Sequence, residues 1–532
     1  MLKLNLKNIM SMLRTSILFA IVACLMIGCD SNLLKTVPND RLSSNIFWKT
    51  KKDARLAANA LYPTLDGIQI TRYDGITDIL HTNRPFNDNL EIEAGRATSD
   101  HNRFLSEWDN AYEAIRRANE FLNNVGRVQD VDSEYINKLK GEAKTIRAYY
   151  YIKLAMLFGD VPLIKKGISI DEAKEVTRDP VEEVWDFIAA DLTQAADWLP
   201  LDNGNRISRG AANGLKARAM LFAGRYNKAA ESAKKVMESD EYSLHPSYCE
   251  LFQYEGENNA GVILQREYTK GANSHNIYNT LAPWSQIGGS RGSQYVPTAK
   301  LVDMYEMKNG NTINEPGSGY DPANPYEDRD PRLKCSIFVN GMELPDGQTY
   351  NSTPGESGSD PVGQSVYITS TGFNVRKYVS DEDLQNPSNS GLNITLLRYA
   401  EVLLIYAEAK IEMNEIDQSV YDAINAVRQR VNMPPITRSE ASTQAEVRKV
   451  VRRERTVELA FEGLRLFDIR RWRIAEDVMQ GNPKGTYYVK DGEVKQVEVT
   501  GVNRTFDPNK DYLWPIPSRE RELVDLSQNP GW

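Results

Sequence analysis

Long stretches of helical hydrophobic periodicity constrain the fold of this chain more than any other feature. In residues 107–125, apolar residues recur at spacings of three and four, which places them on one face of an α-helix. Residues 136–158 and 181–199 show the same period. The dipeptide Asp179-Pro180 comes just before the last of them, and it predicts an acidic N-cap followed by proline at the first helical position. These segments predict amphipathic helices that pack on one another.

A more specific helical pair is predicted over residues 211–239, with a break at Gly224. Its residues Ala219, Leu221, Gly224, Tyr226, Ala229 and Ala233 fall where tetratricopeptide-type repeats place small residues, so that two helices can approach closely. Residues 396–431 repeat this pattern more weakly. Stacked helix pairs form a solenoid with a large face for a partner. Ordinary bundle packing, which also uses small residues, is the alternative.

Residues 240–395 differ from their flanks, because Gly, Pro, Asn and Ser are dense there and helical periodicity is lost. Short strand-like pieces occur at 261–268, 333–339 and 373–379, and residues 344–365 have the composition of a long loop. Long loops on a scaffold often carry binding residues. The predicted fold is mainly α: a tetratricopeptide-like helical-pair scaffold over about 40–239 and 396–475, with a loop-rich ligand-binding region containing a few short strands at about 240–395.

The N-terminus has the pattern of an export signal. Lys3, Lys7 and Arg14 precede an uncharged, almost wholly apolar stretch at 16–27, and Gly28 follows as a small residue. The apolar stretch is shorter than the roughly 20 residues that a transmembrane helix needs. We therefore interpret residues 1–28 as a signal peptide.

Two cysteines in this region, Cys24 and Cys29, are possible sites for lipid attachment. Cleavage before Cys24 would leave an apolar Leu-Met-Ile segment at the new terminus, whereas cleavage before Cys29 uses the whole apolar stretch and leaves a polar sequence behind it. Cys29 is the better candidate. Several acyl chains on one residue anchor a protein stably, which a single chain does not.

Composition excludes some functions and leaves others open. The formal net charge is −9, and removal of residues 1–28, which carry three basic and no acidic residues, makes the chain more acidic. An acidic chain without a clustered basic face is a poor nucleic-acid binder. The four histidines have no metal-site spacing, so we predict no metal site and no cofactor, although loops rich in Asp and Asn leave a structural calcium ion open. Cys249 and Cys335 could form a disulfide or remain free thiols.

Several ordered motifs resemble those of one family. They are "LLKTVP", "FWKTKKDARLAANALYPTL", "EAKTIRAYYYIKLAMLFGDVPLI", "DRDPRLKCSIFVNG", "LLRYAEVLLIYAEAKIEMNE", "VVRRERTVELAFEGLRLFDIRRW" and the terminal "YLWPIPSRERELVDLSQNPGW". In order and spacing the chain resembles the SusD/RagB family of outer-membrane lipoproteins over essentially all of residues 29–532. It departs from the family at Lys35, where an acidic residue is more usual. The family keeps its lipidated cysteine a few residues before the "LLKTVP" motif, which favours Cys29.

The resemblance implies a non-catalytic nutrient-binding protein whose ligand is usually an oligosaccharide. Family members act as lids on a SusC-like TonB-dependent outer-membrane transporter. The expected location is the outer membrane, exposed at the cell surface and held by the lipid anchor only. Two alternatives stay open: a surface glycoside hydrolase, and a structural adaptor of an outer-membrane complex that binds no nutrient.

The carboxylates Glu454 and Asp468 suggest the hydrolase alternative, because paired carboxylates catalyse glycoside hydrolysis. Six arginines crowd the same segment, however, and buried carboxylates matched to arginines are usually structural. We therefore predict structural roles for both and no catalytic residue.

Glycan sites combine exposed aromatic rings with hydrogen-bonding side chains, and two stretches offer that mixture, residues 71–89 and 276–297. The candidate ligand-binding residues are Tyr73, Asn83, Phe86, Asp88, Tyr278, Trp284, Arg291 and Tyr295. Trp284 is the strongest, since the glycines near it argue against a strand core. Ordinary packing is the alternative for each aromatic residue. Trp48, Trp472 and Trp514 lie in the family motifs and are predicted to belong to the scaffold.

Overall fold

A computed structural model describes residues 47–85, 87–287, 292–358 and 360–532. The predicted signal peptide, the proposed lipid site Cys29 and the candidates Phe86 and Arg291 lie outside the described residues. Most secondary structure is helical. The helices of seven residues or more are α1 (Lys51–Asn59), α2 (Asn102–Asn124), α3 (Ser133–Phe158), α4 (Val181–Trp198), α5 (Arg209–Phe222), α6 (Tyr226–Met237), α7 (Tyr399–Glu412), α8 (Gln418–Gln429), α9 (Gln444–Glu458) and α10 (Arg465–Arg471).

The predicted helices of the N-terminal half are confirmed, with one correction at a helix start. Helix α3 begins at an N-cap, Asp132, whose side chain accepts a hydrogen bond from the Glu134 amide. Helix α4 begins differently from the prediction, because Pro180 occupies the N-cap position itself. The Asp179 carboxylate instead accepts a hydrogen bond from the Leu163 amide at 2.8 Å, which ties the preceding loop to the helix start.

Helices α5 and α6 form the close pair that the small residues predict. Gly224 ends the first helix with a φ of +69°, a left-handed conformation that glycine adopts without strain. Ala219, Ala229 and Ala233 are fully buried between the helices. Helix α6 then packs against α7, although more than 160 residues separate the two helices in sequence. The helical layer is therefore continuous, and the residues between α6 and α7 form an insertion on it.

Short strands pair antiparallel in twos, mostly within this insertion. They are β1 (Leu80–Thr82) with β3 (Tyr295–Pro297), β2 (Val262–Arg266) with β6 (Ile394–Arg398), β4 (Ile337–Phe338) with β5 (Asn374–Val375), and β7 (Lys484–Lys490) with β8 (Glu493–Glu498). The start of the stretch predicted as helix from residue 396 belongs to β6, and α7 begins only at Tyr399. Shorter helices connect these elements: Thr71–Asp74, Asn89–Glu93, Ile170–Lys174, Ile277–Leu281, Ala299–Met304, Arg332–Ser336, Ala475–Val478 and Ser518–Leu523.

A disulfide joins Cys249 to Cys335, with Cα atoms 5.0 Å apart and a sequence separation of 86. The structure thus resolves the choice that the sequence left open. The bond ties the segment after α6 to the short helix Arg332–Ser336 and restrains the insertion from within.

The predicted scaffold tryptophans are buried: Trp48 and Trp472 are 7% exposed and Trp514 is 1% exposed. Trp514 packs on Phe104 and Phe158, with ring centroids 4.9 and 5.9 Å apart. The C-terminal motif therefore closes over helices α2 and α3. Along the part of the chain that the structure describes, no helix combines the length and the apolar character needed to cross a bilayer.

Buried ion pairs hold the insertion against the helical layer. Glu458, at the end of α9, is fully buried and lies within 3.0 Å of Arg332, Arg398 and Arg430. Arg332 and Arg398 both belong to the insertion, Arg332 in its interior and Arg398 at its end just before α7, and Arg430 follows α8. Burial alone raises the pKa of Glu458, but the three guanidinium groups outweigh it and hold that pKa well below its usual range. One carboxylate thus connects three segments.

We expect Glu458→Gln to reduce the free energy of unfolding by about 3–5 kcal/mol, since it leaves buried guanidinium groups without their counter-charge. Denaturant unfolding at pH 7 measures this, with the exposed Glu415→Gln as control, which should stay within about 0.5 kcal/mol of wild type. Because the folded-state pKa is lowered, this stabilisation is present above the unfolded-state pKa of about 4.3 and is lost as pH falls through the folded-state value. Equal stability of the two variants at pH 7 would contradict the stabilising role assigned to Glu458.

Candidate functional site

Pairing of β1 with β3 brings the two candidate stretches of sequence together. Thr82 lies opposite Tyr295, and the Asn83 amide donates to the Gln294 carbonyl at 2.9 Å. A third segment, from Asp360 to Ser370, packs on both. We call residues 83–88, 284–294 and 360–370 the loop cluster, and consider only its described residues. Loops from three distant parts of the chain thus form one surface.

Asn83 joins the three loops of this cluster. Its side-chain NH₂ donates to the carbonyls of Ser293 and Ile368, both at 2.8 Å, and its side-chain oxygen accepts from the Ser370 amide at 2.9 Å. The residue is only 8% exposed. The sequence-based assignment of Asn83 as a ligand contact is therefore corrected: its polar atoms are used to position the loops.

The neighbouring Arg84 supports an exposed aromatic ring. Its guanidinium donates to the carbonyls of Val366, at 2.7 Å, and Gly292, and lies 4.9 Å from the ring centroid of Tyr367. Burial lowers the pKa of Arg84 to about 10, so the side chain remains positive at neutral pH. Tyr367 is 39% exposed and its neighbour Val366 59%. The cation–π contact holds the tyrosine ring at the surface.

Tyr367 was not among the residues predicted from sequence. It lies two positions beyond the segment 344–365 whose composition predicts a long loop, in the run "SVYITSTG". The signal in the sequence that could have identified Tyr367 is an aromatic residue in a run with Ser, Thr and Gly, next to a segment of loop composition. The prediction of Trp284 rests on a different signal, the glycines near it, which argue against a strand core.

Trp284 begins a short 3₁₀ helix, Trp284–Gln286, and is half-buried. The amide of the next residue, Ser285, donates to the Asp360 carboxylate at 3.0 Å. Burial raises the pKa of Asp360, and the Ser285 hydrogen bonds oppose this rise. Gly292 has a φ of +85°, and an added Cβ there would lie 3.2 Å from the Trp284 Cα. The backbones of Gly292 and Trp284 thus lie close together, and Arg84 donates to the carbonyl of the same Gly292.

Three predicted aromatic residues have no open ring face, and their assignment as stacking surfaces is corrected. Tyr73 is 2% exposed, Tyr278 is fully buried and Tyr295 is 3% exposed. The Tyr73 hydroxyl donates to Glu107 at 2.6 Å. The Tyr295 ring lies against Gly75, where a Cβ would approach the ring to 2.5 Å. The Tyr295 hydroxyl accepts hydrogen bonds from the side-chain amides of Asn87 and Asn89 at 3.2 and 3.1 Å. All three belong to the buried core.

The stretch 71–89 divides into a scaffold half and a surface half. Asp74 accepts from the amides of Gly463 and Arg465 at 2.9 and 3.1 Å, and burial raises its pKa to about 7. Asp78 pairs with the Arg465 guanidinium at 2.7 Å. These contacts anchor the first half to α10. Asp88, in the second half, is exposed, as its predicted contact with a ligand requires.

The carboxylates that suggested hydrolysis lie elsewhere and are ion-paired, as predicted. Glu454 contacts Arg332 at 2.5 Å and Arg428 at 3.0 Å, and Asp468 contacts two further arginines, each at 2.8 Å. Both carboxylates are 3% exposed. Across the described ranges, no group of three or more His, Cys, Asp or Glu side chains is arranged to hold a metal ion.

This fold and its loops match a known family. The model of the SusD family matches residues 253–532, and a second model, described as "starch-binding associating with outer membrane", matches residues 59–221. The chain belongs to the SusD family.

Three relatives show how far the likeness extends. The SusD-like protein P2 of Formosa agariphila is 28% identical, over 98% of this chain and 100% of that protein. The crystal structure of a SusD-like carbohydrate-binding protein from Bacteroides fragilis superposes with a TM-score of 0.82 at 29% identity, covering 90% of this chain and 99% of that one. A second SusD-like protein of that organism gives 0.80 at 25% identity, over 93% and 100%.

We expect Asn83→Ala to lower the melting temperature and to loosen the loop cluster, because it leaves three buried backbone partners unpaired. An unpaired buried polar group costs about 1–3 kcal/mol. A thermal melt detects the loss, and limited proteolysis should then cut within 284–294 or 360–370 first. The exposed Asn386→Ala serves as control. Wild-type stability and cleavage in Asn83→Ala would show that this amide does not hold the loops.

Proposed function

We propose that this chain is a cell-surface oligosaccharide-binding lipoprotein that delivers its ligand to a SusC-like TonB-dependent transporter. The observation that carries the proposal is the loop cluster, which presents the ring of Tyr367 beside the Arg84 guanidinium and also contains the half-buried Trp284 and the exposed Asp88. The 29%-identical Bacteroides fragilis relative is described as carbohydrate-binding, which supports this ligand class.

The chemistry of the cluster suits a sugar. A pyranose ring has an apolar C–H face that stacks on an aromatic ring, and a rim of hydroxyls that bind charged and amide groups. Tyr367 is held in place before a ligand arrives, because Arg84 is fixed by two backbone carbonyls. Preorganisation reduces the entropy lost on binding. Phe86 and Arg291, which lie outside the described residues, stay proposed ligand-binding residues from the sequence.

We propose binding without turnover. Glycoside hydrolysis needs two carboxylates on either side of the scissile bond. In the described part of the loop cluster the carboxylates are Asp88, which is exposed, and Asp360, which is 2% exposed and hydrogen-bonded to a backbone amide. A buried, engaged carboxylate does not reach a ligand on the surface. No cofactor is needed for this function.

Replacing Tyr367 with Ala should weaken oligosaccharide binding roughly thirtyfold. Stacking that covers on the order of 80 Å² of carbon surface contributes about 2 kcal/mol at 25 cal/mol per Å². The melting temperature should stay near wild type, because the ring is partly exposed. Trp284→Ala should weaken binding as well. Isothermal titration with a panel of neutral hexasaccharides measures the affinity, and Tyr488→Ala, a half-exposed tyrosine on the β7–β8 hairpin, is the matched control.

The alternatives give different results in the same experiment. Release of reducing sugar from any panel member by the purified protein would support the hydrolase. Absence of binding to the whole panel, with a stable complex with the transporter, would support the structural adaptor. Unchanged affinity in Tyr367→Ala and Trp284→Ala would mean that the loop cluster is not the binding site.

The anchor is tested separately. Cys29→Ala should leave the protein soluble or unprocessed, since the thiol is the proposed acylation site. Membrane fractionation after radiolabelled-palmitate incorporation measures this, with Cys24→Ala as the matched control that should remain labelled and membrane-bound. Labelling that survives in Cys29→Ala and disappears in Cys24→Ala would place the anchor at the other cysteine.

A further inference from the structure

A polar groove lies apart from the loop cluster and shares no residue with it. It runs between the segment after α1, the turn at residues 201–208 between α4 and α5, and the edge of β2. Two adjoining cavities of about 340 and 330 Å³ form it, and both are lined by Tyr62, Asn205, Arg206 and Gln265. Each volume lies within the range of about 300–1,000 Å³ that is usual for ligand pockets.

The floor of this groove is rigid. The Arg206 guanidinium lies 4.9 Å from the ring centroid of Tyr62 and donates to the buried Glu142 at 2.9 Å and to Asn59 at 2.6 Å. The Tyr62 hydroxyl accepts from the Ile207 amide at 3.0 Å. Burial, with the Glu142 carboxylate, raises the pKa of Tyr62, so its hydroxyl stays neutral at physiological pH. The aromatic ring and the guanidinium plane are therefore in place before any ligand arrives.

Side-chain amides form the walls of the groove. They belong to Asn203, Asn205, Asn258, Asn259 and Gln265. The side chains of Asn203 and Asn259 donate and accept hydrogen bonds within the protein, and Gln265 Nε2 donates to Asn258 Oδ1 at 2.8 Å. This leaves the Asn205 amide, the Asn258 NH₂ and the Gln265 side-chain oxygen for a ligand. An amide offers donors and an acceptor together, which matches adjacent hydroxyl groups, themselves donors and acceptors. At one end Tyr242 adds a half-buried ring, whose hydroxyl lies 2.7 Å from that of Ser208. The walls can therefore bind a ligand with many hydroxyls and few other groups.

The charges of the groove select against an anionic ligand. Glu142, which is fully buried, neutralises Arg206. The remaining charged residues of the lining are Asp202, Glu241, Arg266 and Glu267, so the rim carries three acidic groups and one basic group. A polyanion would meet a net negative rim.

We propose that this groove is a second binding site for a neutral oligosaccharide. The inference rests on the proposed function for the ligand class but not for the location, because it uses different residues. A protein with two sites for one chain-like ligand retains it more strongly than a protein with either site alone when the ligand spans both. Where the ligand is too short to span them, the two sites bind independently.

The test uses an Asn205→Ala/Gln265→Ala double variant, the Tyr367→Ala variant and their combination, in the full mature chain. The probes are maltohexaose, laminarihexaose, cellohexaose, mannohexaose and xylohexaose, with a hexameric alginate as the acidic comparison. Titration calorimetry gives the number of sites and the affinity of each, and a thermal melt checks folding. Asn205 is exposed and Gln265 half-exposed, so the double variant should melt like wild type.

We expect two equivalents of at least one neutral hexasaccharide to bind the wild type, and the alginate to bind at most one. The double variant should lose one equivalent, or at least tenfold in affinity at that site, while the site at Tyr367 is unchanged. A double variant with wild-type stoichiometry and affinities overturns the inference, as does a wild type that binds no more than one equivalent of every probe.

The two proposals fail in different ways. Loss of one equivalent in the double variant, with no effect of Tyr367→Ala, would retain the groove and reject the loop cluster. Loss of all binding in Tyr367→Ala, with no effect of the double variant, would retain the loop cluster and reject the groove.

Discussion

The structure depends on the burial of Glu458 among three arginines. A buried carboxylate without partners would be strongly destabilising, and each buried guanidinium would be equally so. Arg332 comes from the insertion, Arg398 from the end of β6, and Arg430 from the residue after α8. These segments cannot move apart without leaving charges unpaired. The ion pairs therefore fix the orientation of the loop-rich insertion on the helical layer. Hydrophobic contacts alone would specify that orientation less well.

The candidate site inherits its geometry from this arrangement. Lys377, near the third loop of the cluster, pairs with Glu462 beyond the end of α9 at 3.0 Å. Asp78, just before the first loop, pairs with Arg465 at the start of α10. The first and third loops thus lie near points that buried charge pairs fix on the scaffold. Asn83 then joins the loops to one another, so that the surface carrying Tyr367 is positioned without a regular sheet beneath it.

Local signals in the sequence predict three features correctly. Periodicity predicts the helix positions, small-residue spacing predicts the α5–α6 pair, and matched charges predict the structural roles of Glu454 and Asp468. The proximity of stretches 71–89 and 276–297 depends on the pairing of β1 with β3, which are distant in sequence and carry no local signal for one another. The sequence leaves burial of Tyr73, Tyr278 and Tyr295 open as the alternative to ligand contact, since burial depends on long-range partners such as Gly75 for Tyr295. A loop composition does not distinguish a tyrosine at the surface from one beneath it.

The central claim is that three loops of this SusD-family chain form the oligosaccharide site. Hydrogen–deuterium exchange tests it most directly. The measurement compares the mature protein alone and saturated with the neutral hexasaccharide that binds it most tightly. The account predicts slowed exchange in peptides covering residues 83–88, 284–294 and 360–370 together, with little change in helices α3 and α4. Protection confined to other segments, or no protection at saturation, would contradict it.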